Sequence, residues 1–447
     1  MGELFPNTGA LRKYRRRRID STLADLSLLN HAMMPKETAV PYQRDRGYAW
    51  VIVGTLALTE TVSWGVLYYG FPVFLLPMER ELGESRASFT GAFSLALLLS
   101  GLSAPLVGRI LDRAGPRWPM TLGSLLATLL VLAWSRMQAL PAFYALWAGL
   151  GLAMALVLYE PAFATLAKWF EHRRRLAITV LTLVGGLASV IFTPFNTWLV
   201  SLLGWRDALV ALAGLLFVAT ALPHALLLRA PPDHRPVGRE TPASNVRAVL
   251  RTPTFWALST ALTLAALVTV AVNVHLLPYL QERGFTPAFA ATATGLVGLM
   301  QIPGRLLVAP LGRWLSHRTL TTAVFLVQGG ALLLLLLPNG REAVVLGFVV
   351  AFGMANGMIT ILRAARPAEL FGSASYGAIA GTMALPMTLA RAAAPLGVGT
   401  LYTVFGHYEP VWWGLVLVGC ISALAAAVAE STAQRTLSPA LHSSESE

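Results

Sequence analysis

The 447 residues are 55% hydrophobic and only 13% charged, with a mean hydropathy of +0.62. That composition excludes an ordinary soluble enzyme or binding domain, because apolar runs of about 20 residues, each long enough to cross a bilayer, recur along the chain. A net charge of +12 would suit nucleic acid, but its placement along the chain assigns it to membrane topology.

Twelve spans are expected, at about 49–77, 87–108, 119–136, 142–167, 176–202, 207–228, 254–280, 288–311, 320–338, 342–362, 375–403 and 410–429. Runs of this length exceed a barrel strand of roughly 9–11 residues, so they are helices. With the N-terminus in the cytoplasm, 26 of the 34 Lys and Arg residues fall on the cytoplasmic side. Six fall outside (Arg80, Arg86, Arg136, Arg206, Arg283, Arg341) and two within spans (Arg305, Arg391). That asymmetry is the positive-inside rule, and both termini are then cytoplasmic. The organisation is a basic tail (1–47), a first six-helix bundle (48–228), a cytoplasmic linker (229–253), a second bundle (254–430) and a short tail (431–447).

The tail carries the basic run Arg12-Lys13-Tyr14-Arg15-Arg16-Arg17-Arg18 and lacks the apolar core of a signal peptide. It reads as a topology-setting segment that touches anionic head groups, or as residues upstream of a start at Met33 or Met34; both readings stay open. The single cysteine, Cys420, allows no intramolecular disulfide and no metal cluster. No cofactor, metal or catalytic residue is expected.

The first span carries Glu60, Ser63, Trp64 and Tyr68 at spacings that put them on one helical face. A carboxyl, a hydroxyl and polar-tipped aromatics on one stripe suit a wet cavity rather than lipid. The end of this span is repeated in the seventh. Leu75-Leu76-Pro77, Glu81 and Gly83 match Leu276-Leu277-Pro278, Glu282 and Gly284 at one constant offset. Two similar halves point to a transporter with its site between them.

After the second span comes Gly108-Arg109-Ile110-Leu111-Asp112-Arg113-Ala114-Gly115-Pro116-Arg117. This resembles the Gly-x-x-x-Asp-Arg-x-Gly-x-Arg loop motif of the major facilitator superfamily, between that family's helices 2 and 3. The resemblance implies an all-α integral membrane fold of twelve helices in two pseudo-symmetric six-helix halves. It also implies that Gly108, Asp112, Arg113, Gly115 and Arg117 form a cytoplasmic gating motif that holds helix ends together in one conformation. The counterpart Gly312-Arg313-Trp314-Leu315-Ser316-His317-Arg318 lacks the aspartate, so its clasp is expected to be weaker.

The fourth span ends Leu158-Tyr159-Glu160-Pro161. Glu60 and Glu160 are the carboxyls set well inside spans, candidates to carry a proton or to balance an arginine. The fifth span contains Gly185-Gly186-Leu187-Ala188-Ser189, small residues that favour close helix packing. It lacks the full glycine-rich series typical of the superfamily's drug-exporting antiporters.

Asn273 and His275 lie near the external end of the seventh span, and Gln301 and Arg305 stand one turn apart in the eighth. An arginine at that depth costs at least about 2.5–3.5 kcal/mol on insertion scales, so it lines a cavity or has a partner. Val274-His275-Leu276-Leu277-Pro278, Gly284 and Gly304-Arg305-Leu306 together resemble the superfamily's monocarboxylate-transporter branch and its bacterial relatives, including oxalate/formate exchangers. The resemblance implies that Arg305 holds a substrate carboxylate, for which a planar guanidinium offers two parallel donors. Gln301 stands where the animal members carry a proton-coupling aspartate, and Tyr69 stands at or near their helix-1 lysine.

The candidate substrate residues are therefore Arg305, Gln301, Asn273, His275, Tyr68, Tyr69 and Tyr159. Glu60, Glu160 and Arg391 are candidates for proton coupling or charge pairing, and for Arg391, in the eleventh span, an ion pair and a substrate role both stay open. Asn356, Thr360 and Arg363 share a stripe of the tenth span.

The expected protein is a monomeric secondary carrier of small organic anions in the cell membrane, partnered by lipid, the anion and protons, and not by nucleic acid. An exporter of larger amphipathic compounds with the same fold is the alternative. Paired-histidine metal motifs and Gly-x-Ser-x-Gly elbows are missing from the spans, which disfavours an enzyme. The two-half repeat disfavours a channel.

Overall fold

A computed structural model of the chain describes residues 42–170, 173–229, 247–337, 341–371 and 376–443. The basic run, Met33 and Met34, most of the linker and the last tail residues lie outside the described residues. Two compact units are separated, Met1–Ala49 and Trp50–Glu447. The smaller contributes, among the described residues, the first turns of one helix; the larger holds the bundle.

Helix α1 (Tyr42–Ser63) passes through a π-helical turn, Trp64–Tyr68, into α2 (Phe71–Leu82). Next come α3 (Arg86–Ala114), α4 (Arg117–Trp134), α5 (Leu140–Val157), α6 (Tyr159–Trp169), α7 (Arg174–Gly185) and α8 (Ala188–Leu216). A second π-turn, Phe217–Ala221, leads to α9 (Leu222–Leu227). Beyond the linker run α10 (Pro253–Glu282), α11 (Pro287–Trp314), α12 (His317–Leu335), α13 (Glu342–Phe371), α14 (Tyr376–Phe405) and α15 (Glu409–Ser443). Ten continuous helical stretches are long and apolar enough to cross a membrane. The stretch Leu176–Leu227 is two helices broken at Gly204 (φ 76), and α14 has 30 residues with Arg391 as its one charge. The described chain thus makes twelve spans, in keeping with the periodicity of the sequence.

The repeat is visible in how two corresponding helices stop. Gly83 (φ 70) and Gly284 (φ 86) both take the left-handed conformation just past α2 and α10, where a side chain would be strained. Glu81 and Glu282, two residues earlier, are left at the same end of the bundle.

Inside the first six spans the core is aromatic. Phe71 stacks on Phe93 with centroids 4.3 Å apart, and Trp147 closes edge-on against Phe71, Phe93 and Trp134. Large apolar side chains also face outward; Leu129, Leu226 and Val404 are 63%, 67% and 72% exposed. In water such a surface would aggregate, whereas against acyl chains it carries no penalty. The first six spans meet the last six along three seams: α3 on α14, α8 on α11 and α2 on α10. Small polar groups stitch these seams. The Ser94 hydroxyl accepts from Leu396 N (3.0 Å), and Ser189 Oγ donates to the Gly295 carbonyl (3.1 Å).

One boundary is corrected. Helix α3 continues to Ala114, so Gly108 to Arg113 are its last turns rather than a loop, and Gly115 (φ 71) ends it. The same holds for Gly312 and Arg313, which lie on α11.

Candidate functional site

A cavity of about 110 Å³ lies where the first span, α6 and the fifth span face α11. Trp64, Tyr69, Tyr159, Gln301 and Arg305 supply its polar tips. The π-turn explains why Trp64 and Tyr69 share this wall. Its wider hydrogen bond runs from Tyr69 N to Trp64 O (2.9 Å), so residues five apart face the same way. Tyr68, which an unbroken α-helix would have put on the Trp64 stripe, is turned inward instead. It is 7% exposed and packs on Trp64 (5.1 Å) and Phe93 (5.6 Å).

The fourth span breaks at Leu158 (φ −87, ψ −166) and restarts as α6 with Tyr159 as its first residue. The break delivers the Tyr159 ring against Trp64 at 5.2 Å. Gly185 permits this approach, since a Cβ there would stand 2.7 Å from the Tyr159 hydroxyl oxygen.

Arg305 closes the cavity from α11. Its Nη2 donates a long 3.4 Å bond to Gln301 Oε1, and its Nε is buried without a partner in the described protein. No ion pair joins Arg305 or Arg391 to Glu60 or Glu160 among the described residues, so the charge-balancing arrangement open to the sequence is not formed here. A half-buried guanidinium with unused donors is a ready receptor for a carboxylate.

A second cavity of about 90 Å³ adjoins the first on the side of α10, α13 and α14. Gln301 lines both cavities, and Asn356, Thr360 and Arg391 line the second. Asn273 lies beside the Tyr68 hydroxyl rather than on either wall.

Two expected roles change with the geometry. His275 is completely buried, with Nδ1 2.9 Å from the Tyr408 hydroxyl and Nε2 3.1 Å from the Pro395 carbonyl. The carbonyl requires the proton on Nε2, so both ring nitrogens are used inside the protein and none is left for a substrate. Glu160 is exposed rather than buried, because the break at Leu158 puts it in the first turn of α6, where a carboxylate suits the helix N-terminus. Glu60 is fully buried behind the cavity beside the Trp64 side chain, and neither carboxyl oxygen makes a well-formed hydrogen bond among the described residues. Of the gating motif, Arg113 is exposed and Arg117 Nε donates to the Ala225 carbonyl at 2.6 Å, tying α4 to α9. The Asp112 side chain lies outside the described residues.

One polar assembly outside the cavities is not announced by the sequence. Arg86, placed there in an external loop, is the first residue of α3 and only 4% exposed. Its Nε and Nη2 donate to the two Glu79 oxygens at 2.7 and 2.6 Å. Nη1 lies 2.7 Å from Glu282 Oε1 and donates to the Tyr408 hydroxyl at 2.9 Å, while the Tyr402 ring lies 3.9 Å below the guanidinium. Burial holds the Tyr408 hydroxyl's pKa above its ordinary value, which keeps it a donor to His275. Arg86 thereby clasps the first six spans to the last six at one end. The signal available was its repeat partner, since Glu282 matches Glu81, and Glu81 takes Arg206 at 2.9 Å instead.

Removing one member of a buried ion pair costs about 3–5 kcal/mol, because the other charge is stranded. Arg86→Met is therefore expected to melt earlier and to loosen this end. Beneath the clasp, Leu277 packs on Val73 and Ala291, fully buried. In a cysteine-free background, Leu277→Cys should react with an impermeant maleimide severalfold faster when Arg86 is methionine. An unchanged rate would mean that the clasp does not hold this end shut.

A twelve-span helical bundle with an arginine and aromatic tips around a cavity between its first and last six spans is a membrane transport protein. The chain belongs to the Major Facilitator Superfamily, whose family model matches residues 56–395, and it is a transporter rather than an enzyme. Within the superfamily it is similar to proteins named as monocarboxylate and oxalate:formate transporters. It is 26% identical to "Monocarboxylate transporter 13" of Bos taurus over 81% of this chain and 85% of that one. It is 28% identical to the "Oxalate:formate antiporter" of Oxalobacter formigenes over 48% of this chain and 51% of that one. A "Fujikurins efflux protein" of Gibberella fujikuroi is 25% identical over 66% and 63%. Among solved structures, a bacterial homologue of the human lysosomal transporter Spinster, inward-facing and occupied, superposes with a TM-score of 0.68 at 16% identity, covering 88% of this chain and 98% of that one.

Proposed function

We propose that the protein is a secondary active carrier of small organic anions, working by alternating access between its two six-helix halves, 48–228 and 254–430, with protons as the coupling ion. The observation that carries this reading is Arg305, whose Nε has no partner among the described residues and whose Nη2 makes only a long bond to Gln301, at a cavity walled largely by aromatic rings and small residues. A lone cation there is costly until an anion arrives, and a carboxylate matches its geometry. The relatives named as monocarboxylate and oxalate:formate transporters support the same substrate class.

Alternation follows from the two ends. The Arg86 clasp shuts one end and must part for substrate to pass there, while the motif from Gly108 to Arg117 engages at the other in the opposite state. In this reading the carrier is a monomer in the cell membrane with both termini in the cytoplasm and the Arg86 end outside, an orientation that the positive-inside count supports. An exporter of larger compounds is the second reading, favoured by the relative named for fujikurin efflux. Cavities of about 110 and 90 Å³ count against bulky cargo. Counterflow of a labelled small carboxylate in proteoliposomes tests the proposal. A carrier shows transient accumulation driven by unlabelled anion inside, and a channel shows none.

A further inference from the structure

The second cavity contains a donor that the carboxylate site does not use. Asn356 on α13 is 5% exposed and lines this cavity. Its Oδ1 accepts from Gln328 Nε2 at 2.8 Å and lies 2.7 Å from the Thr269 hydroxyl. Its Nδ2 is buried and has no partner in the described protein. Neighbouring groups settle which way the amide points. Gln328, fully buried on α12, also sends Nε2 to the Ala265 carbonyl at 3.2 Å, so a nitrogen must stand there. Turning Asn356 over would set its NH₂ against that NH₂, donor against donor. Gln328 and Ala265 therefore lock the Asn356 oxygen inward and leave its N–H groups unspent, on a residue of the cavity wall.

A buried amide donor held this firmly is costly unless something accepts from it. Gln301 lines both cavities one helical turn from Arg305, a rise of about 6 Å for four residues. We propose that Asn356 is a specificity-determining residue. It donates to a second oxygen of the substrate, set several bonds from the carboxylate that Arg305 holds, with Gln328 as its positioning residue. This rests on the reading of Arg305 as the carboxylate's partner. It narrows the substrate to carboxylates bearing a further oxygen acceptor and excludes plain alkyl acids as preferred cargo. A site built to hydrogen-bond an oxygen rejects the analogue lacking it, because the site's own donor is then left unpaired.

The probes are pentanoate and 4-oxopentanoate, alike in length and differing by one carbonyl, bound to the purified full chain and followed by titration calorimetry. The wild type is expected to favour 4-oxopentanoate by about tenfold or more. Asn356→Leu and Gln328→Met should each bring that ratio to within about threefold of unity, chiefly by weakening 4-oxopentanoate. A merely structural role for Gln328 would weaken both acids alike and leave their ratio intact. A ratio near one in the wild type, or a wild-type ratio in folded Asn356→Leu or Gln328→Met, overturns the assignment of Asn356 while the carboxylate reading stands. Failure of both acids to bind wild type overturns the carboxylate reading, and this inference with it.

Discussion

Arg305→Lys is expected to lose substrate binding nearly as completely as Arg305→Ala. The reason is geometric. A lysine ammonium keeps the charge but is a point donor on a flexible stem, whereas a carboxylate bound by guanidinium is held by two parallel bonds in one plane. Removing one side of a desolvated charge pair costs about 2–5 kcal/mol, a loss of roughly thirtyfold or more in affinity. Lysine also loses the contact that Arg305 Nη2 makes with Gln301, which orients the fork toward the first cavity. Titration of each purified variant with small carboxylates checks this, with the melting profile as a control for folding. Affinity within a few fold of wild type in Arg305→Ala would make the arginine a structural residue.

Glu60→Gln is expected to abolish pH-driven uptake and to spare substrate-for-substrate exchange. The resemblance to the animal monocarboxylate branch puts Gln301 where its members carry a coupling aspartate, so the proposed proton coupling needs another carrier. Of the two glutamates set deep in the sequence spans, Glu160 is exposed and Glu60 is fully enclosed with neither oxygen in a well-formed hydrogen bond among the described residues. An unpaired charge buried there is costly, so taking up a proton is the chemistry this position offers. Glutamine mimics the permanently protonated carboxyl, which removes proton movement but leaves the cavity and Arg305 in place. Uptake into vesicles with and without an inward pH gradient separates the two activities. Gradient-driven uptake at wild-type rates in Glu60→Gln would remove Glu60 from the coupling path.

The spans, the two-half repeat and the pairing of Gln301 with Arg305 were legible because each is a local pattern: hydropathy over about 20 residues, one constant offset, one helical turn. What escaped depends on departures from the regular helix or on residues distant in sequence. The π-turn at Trp64–Tyr68 rotates Tyr69 to the cavity in place of Tyr68, and no composition signal announces it. The break at Leu158 turns a carboxyl expected to be buried into an exposed one. The Arg86 clasp draws on Glu79, Glu282, Tyr402 and Tyr408, residues of four separate segments, each of which reads in sequence as an ordinary helix end or loop. Buried polar pairs that link remote helices, such as Arg366 with Glu430, escape for the same reason.

The central claim is that this chain moves small carboxylates by carrying them past Arg305, and counterflow measured side by side in two sets of proteoliposomes tests it most directly. With wild-type protein and a high concentration of unlabelled carboxylate inside, labelled carboxylate should enter against its gradient, overshoot and then decay. Vesicles holding folded Arg305→Ala should show no overshoot. No overshoot with any small carboxylate in wild type, or equal overshoot in both preparations, would contradict the account.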